Sequence, residues 1–267
     1  MYTVPATSAT PALIIYLLDV SRSMNEELDG ATRISHVNQA VEKVLVRMAR
    51  LSLRGDRIAP RYRLAMIAYS DEPLDILGGV RPINEVVELG KPVLQTVNAT
   101  NTSAAFRLAR DILAEEIPRT RGLTRHPAPM VCHLTDGRYT GDDPEPVARE
   151  IMGMATDDGP VLVENVYIGP DLLRRPIADA TAWPGVQDES ELADQYARKL
   201  FHMSSALPAS YADTMAKAMY DMRAGARMLI PGNSRELIEL AFAMSGATPV
   251  GTGVGTGEVK RLSTALD

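Results

Sequence analysis

The sequence predicts a doubly wound α/β fold: a mostly parallel sheet with one antiparallel edge strand and helices on both faces. Three observations carry that expectation. Five short apolar runs have the length and near-continuous apolarity of strands buried on both faces. Segments of helical period lie between them. The two kinds of segment alternate, as they do when parallel strands are joined by crossover helices.

The first run, Leu13–Leu18, ends at Asp19. A helix follows in which Ile34, Val37, Val41, Val44, Leu45 and Met48 share one stripe, with Lys43, Arg47 and Arg50 off it. The second run is Leu64–Tyr69. Ser70–Gly78 then reads as a tight turn and an antiparallel edge strand, because Pro73 has no N–H to give a central ladder. A second helix carries Ala105, Leu108, Ala109, Ile112 and Leu113, with Thr102 as its expected N-cap. The third run is Met130–Leu134. Asp143, Pro144 and Glu145 supply a cap, a proline at the first helical position and an early acid for a helix running to about Met154. Val161–Ile168 and Arg227–Ile230 complete the strands, and a last helix after Asn233 or Ser234 carries Leu237, Ile238, Leu240 and Ala241.

At 267 residues, 45% of them hydrophobic, the chain can bury the core of one large domain. Its net charge of −6 argues against a nucleic-acid binder, which needs a basic footprint to neutralise phosphates. The single cysteine, Cys132, permits no intrachain disulfide and points to a reducing compartment. The apolar stretch Ala12–Leu18 is too short for a signal-peptide core or a membrane span. A soluble, cytoplasmic protein without membrane attachment is the expectation.

In a doubly wound sheet, ligands bind beyond the carboxyl ends of the strands, where the strand order reverses. Three segments fall there. Asp19-Val-Ser21-Arg-Ser23 follows the first run, Ala99-Thr-Asn-Thr-Ser103 precedes the second helix, and Leu134-Thr-Asp136-Gly137 ends the third run. Together they would gather two carboxylates and several hydroxyls into one crevice. Hard oxygen ligands of this kind suit magnesium or manganese better than zinc. Taken singly, such hydroxyls are ordinary cap and turn residues.

The combination of D-x-S-x-S after an apolar strand, a later threonine loop at a helix start and an apolar strand ending in T-D-G resembles the metal-ion-dependent adhesion site of von Willebrand factor A (VWA) domains. The resemblance spans Pro11 to Ala247 and implies the Rossmann-like VWA fold over 11–247. By position, Asp19, Ser21, Ser23, Thr100 and Asp136 match its metal-site residues. It implies that Ser21, Ser23 and Thr100 meet Mg2+ or Mn2+ directly, that the two aspartates act directly or through water, and that an Asp or Glu of a partner protein completes the octahedron. Ala99 and Arg22 depart from the pattern at positions where glycine is common. The segments Ala197–Pro208 and Gly225–Gly232 resemble bacterial stand-alone VWA proteins encoded with tellurium-resistance genes. That implies an intracellular binding role beside a kinase or metal-dependent phosphatase system.

The remaining features carry less. His133 and Cys132 are adjacent in a strand and so point to opposite sheet faces, which favours core packing over a nucleophilic pair that would need them to converge. No zinc spacing, Walker A motif or G-x-S-x-G elbow occurs. Asp142 and Asp143 follow Asp136 closely, with helix capping expected of Asp143. Glu115 and Glu116 read as a solvated helix face, and the Arg61/Arg63 and Arg119/Arg121/Arg125 groups as solvated rim. The long connection 170–200 contains Trp183, which either anchors a partner or pins the loop to the body. The tail 248–267, with Gly251–Gly257, lacks the spacing of a phosphate-binding loop and reads as a flexible linker. A magnesium-dependent hydrolase or phosphatase using the same ligands is the competing function, against which no poised general acid or base can be identified. A scaffold that no longer binds metal is the third reading.

Overall fold

A strand with apolar side chains on both sides has to lie inside a sheet that is covered on both faces. The computed structural model, which describes residues 1–246 and 248 apart from 98, 121 and 123, bears this out. Among the described residues seven strands form the main sheet: β1 (Ala12–Asp19), β2 (Tyr62–Tyr69), β3 (Pro73–Asp75), β4 (Arg81–Pro82), β5 (Met130–Thr135), β6 (Leu162–Tyr167) and β7 (Leu229–Pro231). Their spatial order is β7-β6-β5-β1-β2-β3, with β4 also paired to β2. All pairings are parallel except those of β3 and β4, which run antiparallel along β2 in succession. Pro73 opens β3 at the sheet edge, where its missing donor costs nothing.

The helices are α1 (Arg33–Leu51), α2 (Ile83–Leu89), α3 (Thr102–Arg119), α4 (Glu145–Gly153), α5 (Gln195–His202), α6 (Ala209–Lys217) and α7 (Arg235–Ser245). Ile14, Tyr16 and Leu18 of β1 pack with Val37, Val41, Val44 and Met48 of α1 and with Leu240, Phe242 and Met244 of α7. Leu13, Ile15 and Leu17 face the other way, toward Phe106, Ala109 and Leu113 of α3 and Val147, Ala148 and Ile151 of α4. The doubly wound expectation therefore holds. The chain leaves β1 first toward β2 and later toward β5 on its other side, so the strand order reverses at β1.

Several local expectations need correcting. The N-cap of α3 is Asn101, whose side chain accepts from the Ala104 N–H; Thr102 is the first helical residue and is buried. Glu116 is not solvated: it is buried between Arg63 and Arg119 and bonded to both. Arg61 is buried as well. The apolar pattern does not predict the short helices α2, α5 and α6, and α5 begins within the 170–200 connection. Earlier in that connection Trp183 is buried in the same core as Val186 and Met222, and the Val186–Arg227 bridge ties the loop to the body. Gly185, at φ +81°, approaches Ala226 so closely that a Cβ would lie 2.8 Å from its methyl. The structure thus gives Trp183 the pinning role. Thr248 is buried, and its hydroxyl lies 3.2 Å from that of Tyr211. The rest of the tail expectation lies outside the described residues, as does Arg121.

Glu164, in the middle of β6, breaks the apolar rule. It is fully buried and neither carboxyl oxygen has a hydrogen-bond partner. Burial pushes its pKa up to about 8, and the neighbouring Cys132 thiol offsets this only in part. A carboxyl whose folded pKa exceeds its unfolded value is stabilising when protonated, and that stability is lost as pH rises through the folded value. Glu164→Gln is therefore expected to melt like the parent near pH 4.5 and increasingly above it as pH rises toward about 8, the difference levelling off beyond. Melting curves across that range would show it, and a constant difference at all pH values would contradict it.

Candidate metal site at the strand switch

The registers bring the site together. Asp19 pairs with Tyr69 across β1–β2, and Leu18 pairs with Leu134 across β1–β5, which sets Asp19 beside Thr135. The Thr135 hydroxyl donates to Asp19 Oδ2 at 2.8 Å, and the Ser21 N–H donates to Oδ1 at 2.9 Å. The second bond is an Asx-type turn that folds the chain back over the strand end. It leads into a 3-10 turn, Arg22–Asn25, anchored by the buried Met24. The Ser21 and Ser23 hydroxyls lie 3.2 Å apart. Asp19 has no exposed surface. Burial pushes its pKa up to about 6, with the Asp136 charge adding to the rise and the Ser21 and Thr135 hydrogen bonds opposing it.

Asp136 follows β5 directly and is also buried. Its Oδ1 accepts from the Arg138 N–H at 3.2 Å and its Oδ2 from Arg33 Nη1 at 3.0 Å. Gly137 sits at φ +85°, and a Cβ there would lie 3.1 Å from the Tyr167 ring. The third segment is stitched to the same edge by its backbone. Thr140 N–H donates to Thr100 O at 2.8 Å, Asn101 N–H to Ser70 O at 2.6 Å, and Val97 N–H to Val20 O at 2.7 Å. Thr100 is buried, and the Thr140 hydroxyl also donates to its carbonyl, at 3.1 Å. Asp19, the last residue of β1, and the other four positions, on the segments beyond the strands, therefore lie at one edge of the sheet, around the point where strand order reverses.

Beneath this edge runs a polar layer that the sequence did not reveal. His133 Nε2 lies 2.6 Å from the Tyr69 hydroxyl and its Nδ1 lies 2.7 Å from Asn165 Oδ1. The Asn165 amide donates to Met203 O and to the Ser204 hydroxyl, which orients the amide and leaves its oxygen to accept. His133 Nδ1 must then carry the proton, and Nε2 accepts from Tyr69. Burial holds the His133 pKa down at about 4, so the ring is neutral. The Tyr69 hydroxyl in turn neighbours Thr102 and Thr135.

A match to a family model covers residues 14–138. The matched family is the von Willebrand factor type A domain. The match takes in all five positions. No curated protein matches the chain. Among solved structures, the pilus adhesin SpaC from Lactobacillus rhamnosus GG shares 10% identity over 90% of this chain and 31% of its own, with a TM-score of 0.53. Proximal thread matrix protein 1 from the mussel byssus, with a zinc-occupied MIDAS motif, shares 13% identity over 90% of this chain and 47% of its own, at a TM-score of 0.49. An aerotolerance-related membrane protein from Bacteroides fragilis shares 12% identity over 72% of this chain and 86% of its own, at a TM-score of 0.45. At these identities the likeness to SpaC is one of fold, and this chain spans about a third of that adhesin's length.

The donor set fits a hard divalent cation. Two neighbouring buried carboxylates repel one another, every candidate ligand is an oxygen, and a guanidinium already stands against one of them. No group of three or more His, Cys, Asp or Glu side chains suited to a metal occurs among the described residues, so hydroxyls have to complete such a set. Gly137→Ala is expected to lower the unfolding free energy by at least about 1–2 kcal/mol, the cost of forcing an L-residue into the left-handed region, with Tyr167 displaced in addition. Urea unfolding reads this directly, and an unchanged midpoint would mean that the loop accommodates a side chain.

Proposed function

We propose that the chain is a VWA-type binding module over 11–247 in which Asp19, Ser21, Ser23, Thr100 and Asp136 hold Mg2+ or Mn2+ for docking an acidic residue of a partner protein. The observation that supports this most is the pair of buried aspartates at the strand switch, ringed by hydroxyls on loops that backbone hydrogen bonds hold together. When bound, the cation supplies a Lewis-acidic position at which an incoming carboxylate oxygen can be coordinated. The residues of the chain do the rest. Thr135 and the Ser21 N–H fix both oxygens of Asp19, the Arg138 N–H orients Asp136, and the hydroxyls of Ser21, Ser23 and Thr100 are the neutral donors. Because three of the five donors are neutral, the site keeps an attraction for an anionic partner group. The surrounding surface supplies the remaining affinity.

The setting we propose is an intracellular bacterial signalling or stress-response complex beside a kinase or metal-dependent phosphatase, on the resemblance to tellurium-resistance-associated proteins. The single cysteine is buried and free, which suits a reducing compartment. No helix among the described residues is long and apolar enough to cross a membrane. The hydrolase alternative has no observation in its favour: His133, beneath the site, is buried under the strands with both ring nitrogens committed.

Magnesium should raise the melting temperature of the parent protein, since a ligand at a hundred times its Kd stabilises by about 2.7 kcal/mol. Asp19→Ala should abolish the shift and the capture of an acidic partner. A shift retained by Asp19→Ala would sink the site assignment. Metal-dependent turnover of a generic phosphoester, lost in Asp136→Asn, would instead promote the hydrolase.

A further inference from the structure

Arg33 is placed against the grain of its helix. It is the first residue of α1, where the positive end of the helix dipole disfavours a cation, and the first turn holds no acid to offset it. Its guanidinium nonetheless reaches Asp136, with Nη1 3.0 Å from Oδ2; the Arg33 side chain is 12% exposed and that of Asp136 2%. Nη1 also lies 3.4 Å from Ser23 O, and Nη2 pairs with Glu26 at 2.8 Å. The remaining nitrogen, Nε, is buried without a hydrogen-bond partner. Where a local preference is broken and a donor is left unmet, the surroundings are serving something other than stability.

We infer that Arg33 is a tethered cation that competes with a metal ion for Asp136, and so sets both the affinity of the site and its demand for a divalent ion. The inference rests on the metal-site reading above. A monovalent ion offers Asp136 no more charge than the guanidinium already provides, and it would have to break a hydrogen-bonded ion pair to do so. A divalent ion offers twice the charge and also relieves the repulsion between Asp19 and Asp136. Arg33 is linked to the Asp19 loop as well as to Asp136, through Ser23 O and Glu26. Its displacement therefore frees the two loops together.

The test is titration calorimetry of the full chain with Mg2+ alone, comparing the parent with Arg33→Gln, Arg33→Lys and Asp19→Ala. Arg33→Gln is expected to bind about tenfold more tightly, the equivalent of about 1.4 kcal/mol for one removed competing contact. Arg33→Lys, whose single ammonium cannot fork between Asp136 and Glu26, should fall between the two. Melting in chelator gives an independent reading. Arg33→Gln should melt below the parent there, because Asp136 loses its partner, and should regain that difference when Mg2+ is added. A purely structural role would leave it destabilised in both conditions. Equal or weaker Mg2+ binding by Arg33→Gln, or by Arg33→Lys should the first variant not fold, overturns the proposal. Loss of Mg2+ binding in Asp19→Ala shows that the heat belongs to this site, whereas no binding by the parent overturns the metal-site reading itself.

Discussion

The hydrogen bond from the Thr135 hydroxyl to Asp19 joins two strands that are far apart in sequence and holds a buried carboxylate at their shared end. Without donors, a carboxylate in that position would take up a proton or expel itself from the sheet edge. Thr135 and the Ser21 N–H make the charged form tenable, yet its pKa still rises to about 6. The bond also depends on register. A shift of β5 by one residue would turn Thr135 to the opposite face and replace it beside Asp19 with Leu134 or Asp136. The apolar pattern of β5 forbids that slip, since it would also put His133 into the face occupied by Cys132.

The layer formed by Tyr69, His133 and Asn165 carries the same constraint deeper. Each polar atom in it has a partner, and the direction of every proton is set by the Met203 carbonyl at its far end. A fully satisfied buried network costs little and specifies one arrangement, whereas a register error would leave several donors unpaired. It also links the segment after α5 to the strand-end edge through the Asn165 side chain and the Met203 carbonyl. Ser204 and Ser205 complete that link, bonding Asn165 and the β6 backbone respectively.

Much of this was legible in the sequence because strands buried on both faces leave a near-continuous apolar run, and because the motif residues follow such runs directly. The residues that were missed share a different property. Arg33, Glu116, Asn165 and Thr102 acquire their roles from partners on other elements, and one-dimensional periodicity carries no information about what lies across a sheet. Glu116 looked solvated beside Glu115, yet Arg63 of β2 reaches under the helix to meet it. Arg33 did leave a trace, as a cation in the first turn of a helix without an acid. Helices α2, α5 and α6 span two turns or so, too few for a 3.6-residue stripe to stand out from polar connections.

Two buried acids of the sheet show why chemistry belongs at this edge and not in the core. Glu164 sits mid-strand between β5 and β7, fully buried beside the Cys132 thiol with neither carboxyl oxygen hydrogen-bonded, and burial favours its protonated form. A neutral carboxyl in that place can neither attract nor orient a cation. Asp19 is just as buried, but it ends its strand among N–H and hydroxyl donors, and Asp136 stands close enough to raise its pKa further. The chain has thus concentrated negative charge where the strands end, beside a loop whose Arg22, Ser23, Asn25 and Glu26 bound an open hollow. Arg33 balances part of that charge from within. What it does not pair with is Asp19, whose two oxygens are held instead by the Thr135 hydroxyl and the Ser21 N–H.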